Sequence, residues 1–198
     1  LPPALALYLL KHGVASLILT LPLYNPRAPA AWDKEDSAYR YQEWLKIRHH
    51  DAPQGPAALY ADFLQQGLTD LVVAGNWARQ QDWVDPRRIS VAGHSVPGTL
   101  AHLAFHVDPR FFALSSFSPV VDFGTLFWEA KRYAKFSDAW ERMGVTRPVL
   151  TEALSSLDPR AIARASDRPS RHILMMRTEG DEIVPYEQWE ALWNAEGQ

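Results

Sequence analysis

The tightest constraint in this sequence is a turn. Arg88-Ile89-Ser90-Val91-Ala92 is a short β-branched run, Gly93-His94-Ser95 follows at once, and Val96 to Ala101 continues in small and apolar residues around Pro97 and Gly98. The pattern predicts a strand, a sharp turn with a serine at its tip, and a helix. A turn that sharp needs a residue without a side chain beside the serine, and Gly93 supplies it. In this strand–turn–helix context a Gly-x-Ser sequence forms a nucleophile elbow, which lifts the serine hydroxyl clear of the backbone.

The rest of the chain places the turn in an α/β context. Residues 3–12 read as a helix opened by proline and closed by Gly13. Val14-Ala15-Ser16-Leu17-Ile18-Leu19-Thr20 is a continuous apolar run, the signature of a parallel strand buried on both faces. A proline-rich loop over 21–29 follows, which reads first as a rigid connector, although it stands in the position where α/β sheets bind ligands. The polar, aromatic stretch 32–51 reads as solvated, and no third ligand stands near the pair His49-His50. Residues 55–81 carry a long helical stripe through Leu59, Phe63, Leu64, Leu68 and Leu71, with Gly67 and Gly75 as points where it could break. Strands are expected at 111–117 and 172–177, an amphipathic helix at 125–143, helical pieces at 148–157 and 159–165, and a final helix at 185–195. Asp-Pro-Arg recurs at 85, 108 and 158 as reused turn chemistry.

Strands alternating with helices predict an α/β fold with a mostly parallel sheet. At 198 residues the chain is long enough for one domain with a sizeable core, 1–198, and the long interval between the last two strands predicts a helical insertion of cap type at 120–166. A net charge of −3 gives no electrostatic case for nucleic acid, and the absence of cysteine removes disulfides and thiolate metal sites. No apolar run is long enough to span a bilayer, and no signal for secretion is visible, which weakly favours the cytoplasm. No motif calls for a metal or a nucleotide cofactor, so none is expected.

With the elbow, the Asp85-Pro86-Arg87 approach to it and the Gly180-Asp181 loop in order, residues 82–198 resemble the α/β-hydrolase superfamily. More weakly, Leu17-Ile18-Leu19 running into Leu23-Tyr24-Asn25-Pro26-Arg27-Ala28-Pro29 resembles the branch called abhydrolase-domain-containing protein eighteen. The superfamily resemblance implies an α/β-hydrolase fold, with Ser95 as nucleophile and the backbone N–H of Val96 as one oxyanion donor. Asp181, ahead of Val184-Pro185, matches the acid that orients the catalytic histidine, with Asp122 in reserve. The pattern departs from the family at Pro97, where a second glycine is usual, with Gly98 one place late. Proline at a helix start loses no intrahelical bond, but it biases Val96 toward extended backbone.

The family order is serine, acid, histidine, yet no histidine follows Asp181. His94, His102 and His106 read as packing or surface residues, so the base is expected beyond Gln198 and the chain as a core truncated at both ends. The functional expectation is a serine hydrolase of carboxylic esters acting on a small-molecule substrate, with Phe127, Trp128, Tyr133, Phe136 and Trp140 walling an apolar pocket. Two alternatives stay open: a serine peptidase of the same fold, and a non-catalytic scaffold that binds a ligand or partner.

Overall fold

The computed structural model describes residues 3–22, 55–130, 133–167 and 172–197. The loop beyond Pro22 and the pair His49-His50 lie outside the described residues. Helix α1 (Pro3–Lys11) is followed by α2 (Gly55–Arg79), β1 (Ser90–His94), α3 (Val96–Val107) and β2 (Ala113–Phe117). Next come α4 (Phe123–Trp128), α5 (Ala134–Arg142), α6 (Arg147–Ala153), a 3₁₀ turn (Ser155–Leu157) and α7 (Pro159–Arg164). Strand β3 (Ile173–Met176) and helix α8 (Tyr186–Ala195) complete the order. The architecture is α/β, a parallel sheet flanked by helices.

The sheet runs β1–β2–β3, all parallel, with Val91 level with Leu114 and Leu114 level with Ile173. Because side chains alternate along a strand, Val91, Gly93, Leu114, Ser116, Ile173 and Met175 share one face. Helix α3 packs against that face with Ala101, Ala104 and Phe105, which meet Val91, Leu114 and Phe111. Helix α8 covers the β3 side with Leu192, packed on Met175 and Val121. On the opposite face of β1, Ser90, Ala92 and His94 are exposed. Among the described residues no helix is long and apolar enough to cross a membrane.

Helix α2 does not break at its glycines. A side chain at Gly67 would come within 2.8 Å of Leu100 Cδ1, and one at Gly75 within 2.9 Å of Phe111 Cζ. The two glycines let α2 lie close against α3 and the approach to β2, with Leu59, Tyr60, Phe63 and Leu64 buried below.

Four expectations are corrected. The run Val14–Thr20 pairs with none of the three strands, and Val14, Leu17, Ile18 and Leu19 are 41–54% exposed. Its first N–H, on Val14, bonds back to Leu9 O at 2.9 Å and ends α1, so the run starts as a helix terminus. An apolar run reads as a buried strand only if neighbours cover it; among the described residues here, Leu21, just past it, packs into the core.

The single helix expected at 125–143 is two. Phe127 and Phe136 stack with ring centroids 5.3 Å apart, whereas nine residues of one helix would separate them by about 13.5 Å. The chain therefore folds back between α4 and α5. Two of the five residues expected in the pocket wall are core: Phe127 and Trp140 are buried against Tyr60 of α2 at 5.7 and 5.6 Å, while Trp128, Tyr133 and Phe136 are half-buried around them. The piece at 148–157 likewise divides into α6 and the 3₁₀ turn.

The Asp-Pro-Arg triplets behave alike in space. In each the aspartate Oδ1 accepts the backbone N–H two residues on: Asp85 from Arg87 at 3.0 Å, Asp108 from Arg110 at 3.0 Å, Asp158 from Arg160 at 2.8 Å. One turn motif thus leads into β1, β2 and α7.

A Cβ at Gly93 would overlap the carbonyl of Pro97 and lie 2.6 Å from Gly98 N, all rigid backbone. Gly93→Ala is therefore expected to cost about 3 kcal/mol or more. Gly67→Ala meets only side-chain ends, Leu100 Cδ1 and Leu21 Cδ2, which can shift, and gains helix propensity, so it should stay within about 1 kcal/mol of wild type. Urea unfolding of the two variants measures the contrast, and equal midpoints would contradict it.

Candidate active site

The turn after β1 carries Ser95 at φ 60°, ψ −130°, a conformation that side chains rarely adopt. The Ser95 N–H donates to Phe117 O at 2.9 Å, and Thr99 N–H donates to Ser95 O at 3.1 Å. These bonds fasten the turn to the end of β2 and to the first turn of α3. Val96 is the first residue of α3, so its N–H has no acceptor within the helix. Pro97 follows in that first turn, where the N–H it lacks would be unpaired anyway. Gly98 performs the close approach: a Cβ there would lie 3.3 Å from Gly93 O, Phe117 O and Pro119 Cα.

Ser118 is the other described non-glycine residue with positive φ, at 39°. It sits just past β2, its N–H donating to Met176 O at 2.7 Å and its hydroxyl accepting from Thr178 N at 3.4 Å. Both strained residues therefore stand at the carboxyl ends of adjacent strands, the end of an α/β sheet where ligands bind.

Asp181 lies in the loop after β3. Its Oδ1 accepts the N–H groups of Ile183 at 2.9 Å and Val184 at 3.0 Å. Partial burial pushes the carboxyl up, but Val184, Ile183, the Ser118 hydroxyl and the charge of His94 together hold it below the ordinary carboxylate value. Gly180, at φ 72°, makes the turn that presents it. The strand order therefore brings the Ser95 and Asp181 loops to one end of the sheet, with Ser118 between them. Ser118 was not singled out by the sequence; its only local signal is a serine before Pro119 at a strand end.

Asp122 is occupied differently. It caps α4, with Oδ1 accepting Gly124 N at 2.8 Å and Thr125 N at 3.2 Å and Oδ2 accepting Thr125 Oγ1 at 3.0 Å. Its own N–H donates to Gln188 Oε1 of α8 at 3.0 Å.

The described histidines lie in several environments. His94 is exposed at the end of β1, His12 packs on Tyr8, and His172 packs on Phe112. His102 and His106 are buried and share one acceptor: His102 Nδ1 lies 3.0 Å and His106 Nε2 2.9 Å from Oε1 of Glu196, at the end of α8. Burial lowers the pKa of His102, against the pull of Glu196. Burial pushes Glu196 up, but the two imidazole hydrogen bonds hold its carboxyl down at about 2. The spacing His-x-x-x-His, which puts both rings on one helix face, was the available signal for this cluster.

A cavity of about 470 Å³ opens at the other end of the strands, lined by Arg79, Arg87, Arg110, Phe111, Phe112 and His172. Those residues precede the three strands, so this cavity does not serve Ser95.

Residues 57–195 match the family described as the prolyl oligopeptidase family. No curated protein matches the chain. Among solved structures it is similar to the acylaminoacyl peptidase of Pyrococcus horikoshii in an orthorhombic crystal form, at 18% identity and a TM-score of 0.53 over 66% of this chain and 20% of that one. The uncomplexed form of the same peptidase aligns at 19% identity and a TM-score of 0.49, over 62% of this chain and 19% of that one. The chain spans about a fifth of the length of these structures. The likeness supports the α/β-hydrolase fold. The branch resemblance at residues 17–29 gains no support, since it falls outside the matched region.

The Asp181 carboxyl is expected to titrate below the ordinary aspartate value, as read by carboxyl-carbon NMR. Its folded value lies below its unfolded one, so its stabilisation is complete above the unfolded value and lost as pH falls through the folded one. The stability gap between wild type and Asp181→Asn is therefore widest near neutrality and closes in acid; a gap independent of pH would overturn this. Asp122→Ala should cost about 1–2 kcal/mol through loss of the helix cap.

Proposed function

The chain belongs to the prolyl oligopeptidase family, and from that premise we propose that it carries the nucleophile and acid of a serine hydrolase that cleaves amide bonds of peptides through an acyl-enzyme. One observation carries the reading: a serine held at φ 60° at the tip of a strand–turn–helix, at the same end of the sheet as a carboxylate kept ionised by backbone N–H groups.

In this reading the Ser95 hydroxyl oxygen attacks the scissile carbonyl carbon while a histidine removes its proton. The carbonyl oxygen becomes an oxyanion, and the Val96 N–H, unpaired within α3, donates to it. When the carbon–nitrogen bond breaks, the histidine returns the proton to the leaving amine. Water then attacks the Ser95 ester by the same route in reverse and releases the acid. Asp181 fixes the tautomer of that histidine and stabilises its charged form. Two backbone N–H bonds to Oδ1 hold the carboxylate in place for this task.

The same acyl-enzyme would form from an ester, the substrate class expected from the sequence. The family description and the peptidase named among the structural relatives favour the amide. Of the five aromatic residues expected to line an acyl pocket, Phe127 and Trp140 are buried in the core, which weakens one argument for the ester.

The test is labelling of the natural full-length protein by a fluorophosphonate. Wild type should label and Ser95→Ala should not; equal labelling would remove Ser95 from the reaction. On an acylated peptide anilide, Ser95→Ala should lose on the order of 10⁶ in kcat. Asp181→Asn should lose about 10⁴ in kcat with KM little changed. Turnover of simple esters with none of the anilide would return the substrate assignment to the ester.

A further inference from the structure

A cluster outside the proposed hydrolase chemistry has the composition of a metal centre. His102 and His106 stand one turn apart on α3, so both rings project from the same helix face. The rings lie nearly parallel, with centroids 6.5 Å apart and planes 20° apart. From the other side Glu196, closing α8, places Oε1 3.0 Å from His102 Nδ1 and 2.9 Å from His106 Nε2. One ligand atom from each residue falls within 4.8 Å of the others. The site is shielded: the three side chains are 0, 2 and 2% exposed.

We propose that His102, His106 and Glu196 bind one divalent transition-metal ion of the zinc class, as a structural staple between α3 and α8. Two imidazole nitrogens and a carboxylate are a donor set that suits zinc, and the second carboxylate oxygen or a water supplies the fourth position. Tetrahedral bonds of about 2.0–2.1 Å set ligand atoms about 3.3 Å apart. The present nitrogen-to-oxygen separations therefore need to widen by a few tenths of an ångström, and the two nitrogens, now within 4.8 Å of each other, must settle at that same spacing.

The tautomers permit it. Neither His102 Nε2 nor His106 Nδ1 has a hydrogen-bond partner, so no outer bond holds either tautomer, and the metal bonds must outweigh the missing second-shell acceptors. Moving each hydrogen to the outer nitrogen turns two lone pairs toward the carboxylate with no net proton released from a neutral ring.

Glu196 is the C-cap residue, held by its N–H to Leu192 O at 3.0 Å, and Gly197 follows at φ 73°. The staple would join the helix that starts at the Ser95 turn to the helix that follows the Asp181 loop.

The experiment uses the natural full-length protein, without an affinity tag, stripped with chelator and dialysed. Zn²⁺ or Co²⁺ alone is then titrated. Binding of one equivalent is expected, with a Co²⁺ visible spectrum of low coordination number and a thermal midpoint that rises on loading and falls back with chelator. Glu196→Gln and His106→Gln should each weaken Zn²⁺ binding by more than the roughly 10–100-fold that loss of a second-shell partner costs. A His49→Ala, His50→Ala protein should bind as wild type does. The proposal is overturned if the wild type binds no metal after dialysis, which makes the cluster a hydrogen-bonded clamp only. It is also overturned if both α3 and α8 variants, folded by circular dichroism, keep wild-type affinity. Wild-type metal content needs no variant to fold, so the first outcome stands by itself.

Discussion

The turn between β1 and α3 leaves no room for a side chain at Gly93, because the carbonyl of Pro97 already occupies that space. The chain doubles back there within one residue, and the cost appears at Ser95, whose positive φ is of a kind worth about 1–3 kcal/mol of strain. Hydrogen bonds from Ser95 to Phe117 O and from Thr99 to Ser95 O and Val120 O hold the strained turn against the end of β2. The axis of α3 is set by this turn, and with it the face that Ala101, Ala104 and Phe105 present to the sheet. Core packing and the exposure of the serine therefore have one cause.

The departure at Pro97 is absorbed by the same geometry. A second glycine is useful where two backbones approach closely, and in this chain that approach falls on Gly98, where a Cβ would lie 3.3 Å from three backbone atoms. Proline at the preceding position removes an N–H that a helix start leaves unpaired. The bias it places on Val96 does not prevent the helix from starting there. The irregular motif and a regular elbow are compatible because the glycine is needed where the chains touch, not at a fixed place in the motif.

What the sequence made legible was what short-range chemistry decides. The strand–turn–helix at Ser95, the Asp-Pro-Arg turns and the start of α8 after Pro185 are written in adjacent residues. What it hid depends on distant partners. Val14–Thr20 has the composition of a buried strand, but burial needs neighbours, and composition does not name them. The aromatic spacing from Thr125 to Met143 continues smoothly across the fold-back, since Phe127, Phe136 and Trp140 enter one core from two helices. His102 and His106 could be seen to share a face, but their partner lies 90 residues or more away. Ser118 matters to Asp181 only once β2 and β3 are neighbours.

Helices α3 and α8 have a common logic. Each begins directly after a loop that carries a candidate reactive group, Ser95 in one case and Asp181 in the other. At their far ends they meet through His102, His106 and Glu196. A helix is stiff along its axis, so fixing both ends of such a pair limits how its two starting points shift relative to each other. The sheet alone does this weakly, because β1 and β3 are not paired directly but through β2. The buried cluster closes the loop from the other side: turn to helix to cluster to helix to acid. The cluster thereby ties the helix after the Ser95 turn to the helix after the Asp181 loop, alongside α7, which packs against both. It also gives a reason for placing three polar side chains in a region that apolar residues would otherwise fill at lower desolvation cost.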